Sequence, residues 1–292
     1  MRGERDVREA AEAGEAGEAG EAGQAGEAEP AAAEATVAAL RAAGCVFAEE
    51  EAELLTAAAG GEEAALAALV ARRAGGEPLE HVVGWAGFCG LRMRVGAGAF
   101  VPRRRTEFLV QQAVALAAAD GRPRPVVLDL CCGVGALGAA VAARLGAGTE
   151  LHAADIDPGA LAYARANTAP YGGRVYEGDL YGALPRALRG RVDLLLANAP
   201  YVPTDEIALL PSEARDHEPP VSLDGGPDGL DVHRRIAEGA PPWLAPGGRL
   251  LIETSGRQAP HTAAALRAAG LAVRTVESEE FWATVVIATR TV

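Results

Sequence analysis

From Pro125 to the C-terminus, short apolar runs alternate with helical stretches, and this alternation constrains the fold more than any other feature. The pattern predicts strands at 126–130, 150–155, 174–179, 192–198, 248–254, 272–278 and 282–290. It predicts helices at 135–145, 158–168, 229–240 and 257–269. Strands separated by helices build a parallel sheet with helices packed on it. The final two strands stand too close for a helical crossover, so the last one is expected to be antiparallel. Open sheets of this kind bind ligands outside the carboxyl ends of their strands. Chemistry is therefore sought in the residues that follow each strand.

The first such segment is Val127-Leu128-Asp129-Leu130-Cys131-Cys132-Gly133-Val134-Gly135-Ala136-Leu137-Gly138. A buried strand runs into a glycine turn and a helix start, where backbone amides can approach a ligand closely. Gly133, Gly135 and Gly138 also satisfy the dinucleotide pattern G-x-G-x-x-G, a weak signal alone. Asp129 lies inside the strand, where a dinucleotide fold prefers apolar residues. An acid there suits the charged amino-acid end of S-adenosylmethionine (SAM). At the next strand end, Asp155 stands 22 residues after Gly133, placed to accept from ribose hydroxyls. Asp157 precedes Pro158, the pair that starts a helix, and is assigned to capping. Glu177-Gly178-Asp179-Leu180 ends the third strand: Asp179 is an acceptor for an adenine amino group or a solvated turn acid, with Leu180 flanking the ring. The fourth strand ends in Asn198-Ala199-Pro200-Tyr201, which alone reads as an ordinary turn. The four segments together place a polar amide opposite a SAM-type loop.

The remainder of the chain is organised around this core. Residues 12–29 repeat Glu-Ala-Gly, a composition that cannot pack and predicts a disordered acidic tail over 1–30. Residues 31–75 predict a short helical domain, with Val37, Leu40, Leu54, Leu55, Leu66, Leu69 and Val70 at helical spacing and breaks at Gly44 and Gly60-Gly61. The stretch 76–101 predicts a β-hairpin linker, and 102–292 the main domain. Thr106 is expected to cap a helix running to Ala119.

The tail carries net −6 of the total −13, so the body is itself acidic, which disfavours a general nucleic-acid binder. All 27 basic residues are arginine, which removes Schiff-base and P-loop lysine chemistry. Cys45, Cys89, Cys131 and Cys132 lack metal-ligand spacing and read as reduced structural thiols, so no metal is expected. With no apolar leader and no membrane-length run, the expected address is the cytoplasm.

Further segments carry a family resemblance: Arg72-Arg73-Ala74-Gly75-Gly76-Glu77-Pro78-Leu79, Val101-Pro102-Arg103 with Thr106-Glu107, Glu218-Pro219, Gly225-Gly226-Pro227-Asp228-Gly229-Leu230-Asp231, and Pro246-Gly247-Gly248 before Leu251-Ile252-Glu253. With the strand-end motifs they resemble, in order and over roughly three quarters of the chain, the release-factor glutamine N(5)-methyltransferases (HemK/PrmC family). The resemblance implies a class I SAM-methyltransferase α/β fold, Rossmann-like, with seven strands, the last antiparallel. It adds a small N-terminal helical domain and a connecting hairpin.

The implied cofactor is SAM, held by Asp129, Cys131, Cys132, Gly133, Val134, Gly135, Asp155, Asp179, Leu180 and Asn198. The implied substrate is a glutamine in the Gly-Gly-Gln loop of a peptide chain release factor. In that reading Asn198 Oδ1 and the Ala199 carbonyl accept the two amide N–H groups, Pro200 keeps the turn extended, and Tyr201 packs on the flat amide. No general base is required. Cys131 replaces the first glycine of the family's D-x-G-x-G-x-G, and Ala199 replaces a proline of its NPPY, at a preorganisation cost of about 0.4–1 kcal/mol. Arg104-Arg105 replace the Pro and acid of P-R-P-E-T, Glu253-Thr254-Ser255 replaces E-I-G, and the helical domain is shortened. Rival readings are a nucleic-acid exocyclic-amine methyltransferase, a NAD-dependent oxidoreductase and a catalytically degenerate SAM-binding protein.

Overall fold

The computed structural model describes residues 33–291, so the Glu-Ala-Gly repeat expected as a tail lies outside the described residues. The described residues divide after Leu79 into two compact units. In the first, α1 (33–42) is followed by α2 (Ala48–Ala59) and α3 (Glu63–Ala74). Three acids occupy the first turn of α2 and two arginines the last turn of α3, each matching the helix dipole. Leu40 and Leu55 are fully buried in this unit. Beside them Arg73 forms a buried fork on Glu51, Nε to Oε2 at 2.6 Å and Nη2 to Oε1 at 3.1 Å.

The second unit starts within α4 (Leu79–Val83), continues as the hairpin β1 (Trp85–Phe88) and β2 (Leu91–Arg94), and enters α5 (Glu107–Asp120). The hairpin expected within 76–101 is present at Trp85–Arg94, but a helical turn precedes it. His81, Val82 and Val83 are helical, because the buried His81 ring bonds the Ala99 carbonyl at 2.8 Å and tertiary packing overrides β propensity. Thr106 is not a side-chain cap either. A 3₁₀ turn over Arg104–Thr106 leads straight into α5, and the Thr106 hydroxyl points elsewhere.

Then follow β3 (Val126–Leu130), α6 (Ala136–Leu145), β4 (Glu150–Asp155), α7 (Pro158–Thr168), β5 (Arg174–Glu177), β6 (Val192–Ala197), α8 (Ser212–His217), α9 (Asp231–Gly239), β7 (Leu244–Thr254), α10 (Ala259–Ala268), β8 (Ala272–Ser278) and β9 (Ala283–Thr289). These seven strands form one sheet in the order β5-β4-β3-β6-β7-β9-β8. All neighbours are parallel except β9, which runs antiparallel to both β7 and β8.

β7 begins earlier than the pattern suggests, because Ala245 to Gly248 bulge out of register against β6. A Cβ at Gly248 would lie 2.5 Å from the Val192 carbonyl, so this close approach requires glycine. Every residue of β3 and β6 is buried. Alternation sends Val127 and Leu196 to a core with α5, α6 and the hairpin, and Leu128 and Leu195 to a core with α9 and α10. With both faces covered, the open surface left to these central strands is at their ends.

Candidate active site

At the end of β3 the chain reverses through three left-handed residues, Cys131 (φ 58°), Gly133 (φ 52°) and Gly135 (φ 76°). A cysteine in this region costs about 1–2 kcal/mol relative to glycine, so the loop tolerates the replacement with strain. Gly135 is needed for packing: a Cβ there would meet Thr168 Cγ2 at 3.0 Å and Ala164 Cα at 3.2 Å on α7.

Asp155, ending β4, ties the neighbouring turns together. Its Oδ2 accepts from Gly133 N at 2.7 Å and its Oδ1 from Asp157 N at 2.9 Å, while its carbonyl accepts from Gly178 N at 2.9 Å. Each carboxylate oxygen keeps a second lone pair for a ribose hydroxyl. Asp157 caps α7 by accepting from Gly159 N at 2.9 Å.

Asp129 is fully buried. Its Oδ2 accepts from Gly138 N at 2.7 Å, a contact open only because a Cβ on Gly138 would sit 2.9 Å from the Asp129 Cβ. Its Oδ1 has no hydrogen-bond partner. Burial raises this carboxyl to about 7, opposed by the Gly138 amide and reinforced by the nearby Asp155. At the end of β5, Asp179 Oδ2 accepts from Arg235 Nη2 at 2.6 Å, a half-exposed pair that leaves Oδ1 open. Leu180 beside it holds φ at 48°, an uncommon conformation for a branched apolar residue.

At the end of β6, Asn198 Nδ2 donates to Thr106 Oγ1 at 3.3 Å, which leaves Asn198 Oδ1 for a substrate N–H. Ala199 is 1% exposed, and no hydrogen bond is made to its carbonyl among the described residues. The half-buried Tyr201 ring lies between Arg105, whose Cζ is 5.7 Å from the ring centroid, and the His233 ring at 6.2 Å. Burial and the nearby Glu253 push the Tyr201 phenol up to about 12, so it stays neutral.

The segments singled out downstream act as struts for this corner. Val202 pairs with Asp224, and Gln258 Nε2 donates to the Tyr201 carbonyl at 2.9 Å. Glu218 is buried; its Oε1 accepts from Val101 N at 3.0 Å and its Oε2 from Arg103 Nη2 at 2.6 Å.

A cavity of about 520 Å³ joins the two halves. Of the residues expected to hold the cofactor, Asp129, Cys131, Cys132, Gly133, Val134, Asp155, Asp179, Leu180 and Asn198 line it, and Gly135 does not. Asn198 and Pro200 line the acceptor end, whereas Ala199 and Tyr201 lie behind that wall. Three residues that the sequence alone did not single out for the site join it: Thr106 and Arg103 on the wall, and Arg235 beside Asp179. Glu253 stands behind Thr106 and Arg105, with Arg105 Nε donating to its Oε1 at 3.1 Å. An acid in the apolar run Leu250-Leu251-Ile252-Glu253 was the available signal for it, as it was for Asp129.

SAM carries an ammonium and a sulfonium, and its end of the cavity presents four carboxyls, from Asp129, Asp155, Asp157 and Asp179. The partnerless Oδ1 of Asp129 is what a buried acid awaiting a cation leaves behind. These residues fit the group, and sheet, loop and strand-end asparagine together define a SAM-dependent methyltransferase.

Comparison with known proteins narrows the class. Residues 105–209 match the Methyltransferase small domain family. A release factor glutamine methyltransferase of Cereibacter sphaeroides is 40% identical over 207 residues, covering 70% of this chain and 70% of that protein. A 4-amino-L-phenylalanine/4-methylamino-L-phenylalanine methyltransferase of Streptomyces pristinaespiralis is 37% identical over 204 residues, covering 69% and 68%. A methyltransferase crystal structure from Pyrococcus furiosus matches in fold, with a TM-score of 0.50 at 17% identity over 70% of this chain and 90% of that one. The chain belongs to the release factor glutamine methyltransferase family, spanning 65%, 69% and 70% of the length of three of its curated members.

Proposed function

We propose that this protein transfers the methyl group of SAM to the side-chain amide nitrogen of a glutamine in a peptide chain release factor, acting in the cytoplasm. The observation that carries this reading is the single cavity lined at one end by Asp129, Gly133 and Asp155 and at the other by Asn198. Kinship to proteins named for that substrate supports the partner. Among the described residues no helix is long and apolar enough to cross a membrane.

SAM supplies an electrophilic methyl on a positively charged sulfur. The residues of the chain supply position and charge. An amide nitrogen is a poor nucleophile because its lone pair is delocalised into the carbonyl, so orientation must provide much of the rate. Asn198 Oδ1, on the cavity wall, takes one amide N–H and aims the nitrogen along the cavity. This acceptor becomes more favourable as positive charge develops on that nitrogen. The half-buried Tyr201, flanked by Arg105 and His233, supports the acceptor wall from behind. Pro200 holds residue 199 extended and its carbonyl in place.

Asn198→Ala is expected to lower kcat for methyl transfer to purified release factor by about 100-fold, a loss larger than any accompanying loss of SAM affinity. Transfer from labelled SAM with unchanged kcat would remove Asn198 from the mechanism. Because one relative is named for an aromatic amine, 4-amino-L-phenylalanine belongs in the same assay. Methylation of that amine in preference to the release factor would reassign the substrate.

A further inference from the structure

Asn198 is useful only one way round. Rotating its amide by 180° would turn Nδ2, a donor, toward the N–H groups of the substrate, and donor would face donor. A hydroxyl does not by itself prevent this, because Thr106 Oγ1 can accept from Nδ2 or donate to Oδ1 with equal ease.

Behind Thr106 stands Glu253, 1% exposed on β7. Its Oε1 is taken by Arg105 Nε, and its Oε2 is buried with no hydrogen-bond partner. A carboxylate only accepts, and the Thr106 hydroxyl is the uncharged donor beside it, 4% exposed. Leaving a buried Oε2 unpaired is costly, which favours the rotamer that gives it the Thr106 proton. Once that proton is committed, the Thr106 oxygen can act toward Asn198 only as an acceptor. Asn198 must then present Nδ2 to Thr106, as observed at 3.3 Å, and Oδ1 to the cavity.

We propose that Thr106 and Glu253 are positioning residues that fix which end of the Asn198 amide faces the substrate, through the order Glu253 accepts, Thr106 donates and accepts, Asn198 donates. This rests on the amide-methylation reading above. Arg105 belongs to the device. In place of the acid of the family's P-R-P-E-T, its guanidinium donates to Glu253 and opposes the upward push that burial gives that carboxyl. Neither Thr106 nor Glu253 supplies or removes a proton in the reaction.

Thr106→Val keeps the shape and removes the hydroxyl; Thr106→Ser keeps it. The experiment measures kcat and KM for release-factor methylation, SAM affinity by calorimetry, and hydrogen exchange of the Asn198 side-chain NH₂ by NMR, its signals identified by their absence in Asn198→Ala. For Thr106→Val we expect kcat to fall at least about tenfold with SAM affinity unchanged, and Asn198 NH₂ exchange to accelerate. Thr106→Ser should restore most of the rate and the slow exchange. Glu253→Gln, whose amide can donate as well as accept, should accelerate exchange with Thr106 intact. Equal kcat in Thr106→Val and wild type, or equally fast NH₂ exchange in both, overturns the proposal. Slow exchange in a wild type that methylates no glutamine substrate would retain the positioning and overturn only the substrate reading.

Discussion

Asp129 connects a residue's environment to a measurable dependence. Its carboxyl sits near 7 because burial penalises the charge, and a cation at Oδ1 favours the ionised form. The sign follows. Above about 7 the acid is already ionised and SAM affinity is full; as pH falls through 7 a proton must leave before the cation can pair. The SAM dissociation constant should therefore rise by up to about tenfold per pH unit below 7, and Asp129→Asn should flatten the profile. Calorimetry at pH 6, 7 and 8 checks this, and a profile identical in wild type and variant would separate Asp129 from the ammonium. The sequence made Asp129 visible because an acid in a buried strand is conspicuous. It did not reveal that one oxygen serves Gly138 and the other is bare, since that depends on how α6 packs over β3. Thr106 was misread as a helix cap for the converse reason: a threonine before a helix is a local signal, and its partners Asn198 and Glu253 are far away in sequence.

At the level of elements, strand-end loops are placed by the sheet and then braced by segments with no chemistry of their own. The turn at Gly225–Asp231 is the main brace under Tyr201. A Cβ on Gly229, which holds φ at 72°, would lie 2.3 Å from the Tyr201 carbonyl and 2.4 Å from Gln258 Nε2. Gly229→Ala should therefore break the bond from Gln258 to Tyr201, destabilise by about 2 kcal/mol and slow methyl transfer. Thermal unfolding should show a Tm lower by about 4–8 °C. A normal Tm and a normal rate together would mean the turn adapts. Helix and strand positions were mostly legible because their periodicity is local. The exceptions have tertiary causes: the helical start at His81 follows from its bond to Ala99, and the early start of β7 from the bulge that Gly248 permits against Val192.

For the whole molecule, the cavity shared by the glycine loop and Asn198 decides the cofactor. The glycine loop alone admits NAD or SAM, but six aspartates against two arginines line the cavity, and that acidic excess repels a pyrophosphate and attracts a sulfonium. SAM at about 100 times its dissociation constant should stabilise the protein by about 2.7 kcal/mol, and NAD at the same concentration should not. A thermal shift with NAD equal to that with SAM would reopen the oxidoreductase reading.

The sequence by itself determined the order of strands and helices, the glycine loop, the acids at successive strand ends and Asn198-Ala199-Pro200-Tyr201, because each is encoded within a dozen neighbouring residues. The tertiary structure decided which of them share a cavity, that Ala199 and Tyr201 stand behind its wall, and that Thr106 turns to Asn198. Those outcomes depend on the strand order β4-β3-β6-β7, which sets strand ends such as Leu130 and Ala197, distant in the chain, side by side. Local pattern carries no record of that juxtaposition.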